Sequence, residues 1–144
     1  MKKLLVTLCA LSVSLPLLAG DDRPIAMEQL PVPAREFVKA HFDGVKVALS
    51  TVDRELTDTT YEVFFADGRK VEFDGKGRWK EIDCKHDRVP AAAVPEAIAA
   101  HIEANYPGRH VTEISRDRRD YEVQLDGGLE LTYDTKFRLI EIDN

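Results

Sequence analysis

Cysteine is nearly absent from this chain. Of two cysteines in 144 residues, Cys9 lies in an apolar N-terminal run, which leaves Cys84 alone in the remainder. A lone cysteine has no intrachain disulfide partner, so packing has to hold the fold. Basic residues are also in deficit, 20 against 26 acidic ones, for a net charge of −6. Without Lys2 and Lys3 the balance falls to −8. An acidic chain of this kind has no electrostatic footprint for nucleic acid or anionic lipid, and a charge-driven partner should be basic. No apolar run reaches the ~20 residues that a spanning helix needs. There is no serine–histidine elbow, glycine-rich phosphate loop or CxxC pair. The sequence therefore predicts a protein that is not an enzyme and carries no cofactor.

What is present begins with Lys2-Lys3, an apolar run from Leu4 to Leu18 broken by Pro16, and the small residues Ala19-Gly20. That order is the one found in secretory signal peptides, so residues 1–20 are assigned to a leader and the protein to the periplasm or the exterior.

The remainder is organised by a stretch that occurs twice. Tyr61 to Asp83 aligns without a gap on Tyr121 to Asp143, and ten of the 23 positions are identical, among them Tyr61-Glu-Val63, Gly68, Asp74 and Glu81-Ile-Asp83. Agreement of that density at one offset predicts an internal duplication. Residues 21–84 form the first unit, 85–93 a linker with Pro90 and three alanines, and 94–144 the second. Asp21 to Met27 reads as a loose lead.

Each unit opens with a helical pattern. Ala34, Phe37, Val38 and Phe42 share one face, with Gly44 as the stop; Ile98, Ile102 and Tyr106 repeat the stripe before Pro107-Gly108. First strands are expected at Val45–Val52 and Arg109–Arg116, with four extra residues near Thr57-Asp-Thr-Thr60 in the first unit. A three-strand meander follows. Three-residue loops ending in Gly68 and Gly128 place Val63 opposite Val71, Tyr61 opposite Phe73, Val123 opposite Leu131 and Tyr121 opposite Tyr133. The next turns are expected to set Glu72 beside Trp79, Leu131 beside Ile140 and Leu129 beside Ile142. The predicted fold is α+β: two tandem repeats, each a helix and a four-stranded antiparallel meander, helices on one face.

By this register the opposite face presents Glu62, Phe64, Glu72, Trp79 and Glu81. Aromatics within a carboxylate field form a candidate partner-binding surface, because buried aromatics dominate interface energetics. The second unit has Gln124 and Leu139 where the first has Phe64 and Trp79, so these aromatics read as additions to the scaffold. Glu62 opposite Glu72 is a like-charge pair that Lys70 and Lys80 can neutralise. The other reading is a small-ligand or metal site on Cys84, His86 or the Glu62/Glu72 pair. The turns at Asp74 and Asp134 resemble fragments of calcium loops but lack further carboxylates at alternate positions and the closing glutamate.

The pattern Leu30-Pro31, a helix ending in Phe42-Asp-Gly44, Tyr61-Glu-Val63, Asp67-Gly68, Phe73-Asp74-x-x-Gly77 and Trp79-x-x-Ile82-Asp83 resembles the PepSY-like, beta-lactamase-inhibitor-protein-like exported proteins of Bacteroidales. The second unit matches through Val94-Pro95, Tyr106-Pro-Gly108, Tyr121-Glu-Val123, Tyr133-Asp134 and Ile142-Asp143. It departs at Phe137 and Leu139, which stand where the first has glycine and tryptophan. The resemblance implies a broad sheet surface used to grip a protein or peptide, in the namesake an enzyme, and no catalytic residues.

Overall fold

Apolar residues at alternate positions, punctuated by Asp and Gly turns, cover most of the chain after the first helix, and strands result. The structure is a computed structural model that describes residues 21–144; the expected leader, residues 1–20, lies outside them. In chain order the elements are β1 (Arg23–Ile25), α1 (Val32–His41), β2 (Val47–Arg54), β3 (Thr59–Phe65), β4 (Lys70–Asp74), β5 (Trp79–Asp83), α2 (Glu96–Asn105), β6 (Val111–Arg116), β7 (Asp120–Leu125), β8 (Glu130–Asp134) and β9 (Leu139–Asp143). Each helix is thus followed by four strands. All nine strands lie in one antiparallel sheet in sequential order. The two expected four-stranded units are joined edge to edge, Glu81, Ile82 and Asp83 of β5 pairing with Ser115, Ile114 and Glu113 of β6, and the expected loose lead instead supplies β1.

Both helices start at proline, at Pro31 and Pro95, where a missing N–H costs nothing because it has no intrahelical partner. They end ahead of Gly44 and Gly108, both left-handed. Leu30, Ala34, Val38 and Phe42 recur every four residues and are buried, as are Ile98 and Ile102. Phe42 stacks on Phe65, and Phe37 meets Phe73 edge-on. On the second helix, the His101 ring meets Tyr133 at right angles and its Nδ1 lies 2.9 Å from the tyrosine hydroxyl. Each large side chain so buried contributes about 1.5–3 kcal/mol. These contacts place both helices on the sheet face that carries the row Val63, Val71, Ile82, Ile114, Val123 and Leu131.

The hairpin registers read from the sequence hold: Val63 faces Val71, Tyr61 faces Phe73, Val123 faces Leu131 and Tyr121 faces Tyr133. Gly68 and Gly128 both have φ of 92°, the left-handed residue closing each three-residue loop. The following strands differ from expectation. Glu72 faces Glu81 and Phe73 faces Trp79, with Lys80 as an extra residue between the pairs; likewise Leu131 faces Ile142 and Tyr133 faces Leu139, with Ile140 extra. These are β-bulges, and one extra residue moves every side chain before it to the other face.

The two β4–β5 and β8–β9 turns explain a difference between the halves. Gly77 has φ of +80°, and a Cβ there would stand 2.8 Å from Pro31 Cβ and 3.0 Å from Ala34 N, against the start of α1. Phe137, with φ of 63°, takes the corresponding place in the last turn and packs on Tyr121 with ring centroids 5.3 Å apart. Only the first turn is pressed against a helix, so only there is the side chain excluded.

Candidate functional site

Of the five residues expected to form the exposed surface, four lie there. Phe64, Glu62, Glu72 and Glu81 point away from the helices and are partly exposed. Trp79 does not. The bulge at Lys80 turns it inward opposite Phe73, where it is 8% exposed within the core. A strict two-residue period across β5 puts it on the wrong face, and this expectation is corrected. Lys80 moves to the outer face in its place. Ile140 and Ile142, expected under the second helix, are 59% and 54% exposed: the bulge displaces Ile140 as it does Lys80, and Ile142 lies on β9, the last strand of the sheet.

The outer face is built around one row: Glu62 faces Glu72, Glu72 faces Glu81, Glu81 faces Ser115, and Ser115 faces Glu122. The neighbouring row runs Phe64, Lys70, Asp83, Glu113 and Gln124. Side chains two apart on a strand share a face, so the pleat itself gathers the carboxylates. Two lysines sit among them. Lys70 Nζ is 3.1 Å from Glu81 and 4.0 Å from Glu72; Lys80 Nζ is 3.3 Å from Glu72 and 4.0 Å from Asp58. The like-charge pairing of Glu62 with Glu72 is present, and the two lysines neutralise Glu72.

Glu62 makes no ion pair with any described residue. Burial pushes its carboxyl above the usual range; Lys70 opposes this and Glu72 adds to it. Glu113 is raised by burial and then by Asp83 and Glu81, and Glu122 by burial and then by Glu130. Burial works against the charge of Lys70, but its carboxylate neighbours, Glu81 first, outweigh it and raise the ammonium pKa. The face therefore holds more negative charge than its lysines satisfy.

The remaining chemical candidates are enclosed or dispersed. Cys84 is buried at the inward end of β5, and burial pushes its thiol up to about 11. Such a thiol is inert near neutral pH. His86 is exposed on the turn beyond it, and its carbonyl lies 3.3 Å from His110 Nε2. No three His, Cys, Asp or Glu side chains among the described residues converge to hold a metal. Asp74 and Asp134 are occupied by their own turns. Asp74 Oδ1 accepts from the backbone N–H of Lys76 and Arg78, and Asp134 Oδ1 from Lys136 and Arg138.

Sequence reasoning missed Arg116. Its guanidinium carbon stands 3.8 Å from the centroid of the Trp79 ring, and its Nε donates to the Trp79 carbonyl at 2.8 Å. The signal available was a contrast: at the offset of 64 that relates the first strands, Arg116 stands where the first half has buried Val52.

Two helices on one face of an open antiparallel sheet, with no helix among the described residues on the other, define a beta-lactamase-inhibitor-like architecture. The chain belongs to the PepSY_like family, described as a candidate beta-lactamase-inhibitor-like, PepSY-like group, whose model matches residues 59–141. It is similar to a crystal structure of a periplasmic protein of the DUF2874 family from Bacteroides vulgatus, with 45% identity, coverage of 88% of this chain and 99% of that one, and a TM-score of 0.85. A protein from Bacteroides thetaiotaomicron, named as a candidate calcium-regulated periplasmic protein, is 49% identical over 86% of this chain and 98% of its own, with a TM-score of 0.83. A further Bacteroides vulgatus periplasmic protein of unknown function is 38% identical over 85% of this chain and 99% of its own, with a TM-score of 0.80. No curated protein matches the chain. The relatives are described as periplasmic, and this chain shares their compartment. No helix among the described residues is long and apolar enough to cross a membrane. The family is not an enzyme family.

Proposed function

We propose that this protein is an exported, non-enzymatic binding module that recognises a protein or peptide through the outer face of its sheet. The observation that carries the reading is the carboxylate surface across β3 to β7, holding Glu62, Glu72, Glu81, Glu113 and Glu122 around Lys70 and Lys80. A basic partner would meet Glu62, which no described cation pairs, and bury the partly exposed Phe64 on the neighbouring row. Buried and hydrogen-bonded charge pairs of this kind set affinity, and the surrounding field sets the association rate. The same face on a duplicated scaffold, one helix and four strands used twice, supports a gripping rather than a catalytic role. Inhibition of an enzyme is one form such gripping can take.

The test is capture from a periplasmic extract with the wild-type protein and with Glu62→Lys/Glu122→Lys. The reading expects a basic partner that is retained by the wild type, lost by the variant, and released as salt rises. A partner retained equally by both places recognition elsewhere. The alternative of a cation-binding protein is favoured by the name of the Bacteroides thetaiotaomicron relative alone. A calcium titration followed by thermal unfolding separates the two, since tight binding to the native state must raise the midpoint.

A further inference from the structure

We infer a second binding site of opposite sign, a basic groove at the turn end of the sheet that accepts an extended acidic peptide segment. The groove encloses about 1130 Å³ between the β2–β3 loop, the β4–β5 turn and the β6–β7 turn, with Trp79 and Tyr121 at its floor. Small-molecule pockets hold roughly 300–1,000 Å³, so the space suits a length of chain better than a compact ligand.

Its charge is the reverse of the molecule's. Six of the lining residues are cations, Lys76, Arg78, Lys80, Arg116, Arg118 and Arg119, against four carboxylates, in a chain whose net charge is −6. Several of these cations are uncommitted. Lys76 and Arg118 form no ion pair with any described residue, and Arg119 reaches Asp117 only at 3.8 Å. Arg116 is the anchor. The Trp79 ring fixes its plane from one side, the bond from Nε to the Trp79 carbonyl fixes its direction, and its two terminal nitrogens bond no described residue. A planar guanidinium held in this way presents a preorganised fork that matches a carboxylate in two parallel hydrogen bonds. Fully exposed Leu56 on the rim offers an apolar contact beside it. The site adjoins the outer carboxylate face at Lys80, which pairs with Glu72, but it does not depend on the proposed function, because it takes a partner of opposite charge.

Trp79 is the single tryptophan of the chain and lines this groove, so its fluorescence reports on the site under native conditions. The experiment titrates the protein with a capped peptide of about eight alternating Glu and Asp residues, with inorganic phosphate and a single-stranded oligonucleotide as parallel probes. A saturable change in Trp79 emission with the acidic peptide is expected, together with affinity at least about tenfold weaker in Arg118→Glu/Arg119→Glu. The denaturant midpoint of that variant should be unchanged, since both side chains are exposed. Arg116→Lys keeps the charge but loses the fork, and should weaken the peptide as well; if it fails to fold, the double variant carries the test. No saturable change, or equal affinity of wild type and double variant, overturns the site. A tighter response to phosphate or to the oligonucleotide overturns the assignment to an acidic peptide.

Discussion

Single residues divide the two halves of this protein more sharply than their shared pattern suggests. Trp79 and Leu139 hold the same place in β5 and β9, yet Trp79 is buried at the junction with β6 while Leu139 lies on the last strand. Trp79→Ala removes a core aromatic and should cost about 3–5 kcal/mol. Leu139→Ala, half-buried on an edge, should cost about 1–2 kcal/mol, below the range for a fully enclosed leucine. Urea midpoints of the two variants compare them directly, and equal losses would contradict the placement of Trp79. Glu62 gives a pH-dependent counterpart. Its folded pKa is raised above the ordinary 4.5, so the ionised carboxylate weakens the fold at neutral pH. That penalty fades as pH falls through the folded value and is gone below the unfolded one. Glu62→Gln should therefore unfold at higher urea than the wild type at pH 7, and the difference should vanish below 4.5. A difference that instead grows on acidification would reverse the sign and exclude burial as the cause.

At the scale of the element, the bulges decide which face each strand presents. In β5 the extra residue is Lys80, which puts Trp79 beside Phe73 and sends the lysine out to Glu72. Deleting Lys80 restores an unbroken two-residue alternation and drives Trp79 to the outer face, so the fold should lose at least about 3 kcal/mol. Lys80→Ala keeps the bulge and removes only a partly exposed ion pair, with a loss of about 1 kcal/mol or less. Circular dichroism through a urea titration distinguishes them: similar midpoints would mean that the bulge does not control the side of the tryptophan. Trp79 expected on the outer face shows why the bulge was hidden. In Trp79-Lys-Glu-Ile82 two polar residues separate the apolar pair, a pattern that fits either an outward tryptophan on a regular strand or a bulge that turns it inward, and nothing in four residues decides between them. The preceding hairpins were legible because a glycine with positive φ pins each loop length.

The whole molecule is tied together by the β5–β6 ladder and one core cluster that runs from Leu30 to Tyr133. Neither half can open without exposing Ile82 and Ile114, which face each other across the junction with no accessible surface. A single cooperative transition is expected, with Trp79 fluorescence and far-ultraviolet circular dichroism giving the same midpoint. Two resolved midpoints would show that the halves fold independently.

By itself the sequence determined what depends on near neighbours. It set the helix stripes and their proline starts and glycine stops, the hairpin registers at Gly68 and Gly128, the outward placement of Glu62, Glu72 and Glu81, and the family. Each follows from backbone sterics or side-chain period within a few residues. Only the tertiary structure decided the merging of all strands into one sheet, the inward turn of Trp79 and the meeting of Trp79 with Arg116 across 37 positions. These arise where strands distant in sequence compete for partners, and hydrogen-bond pairing and burial across the junction settle the outcome that local pattern leaves open.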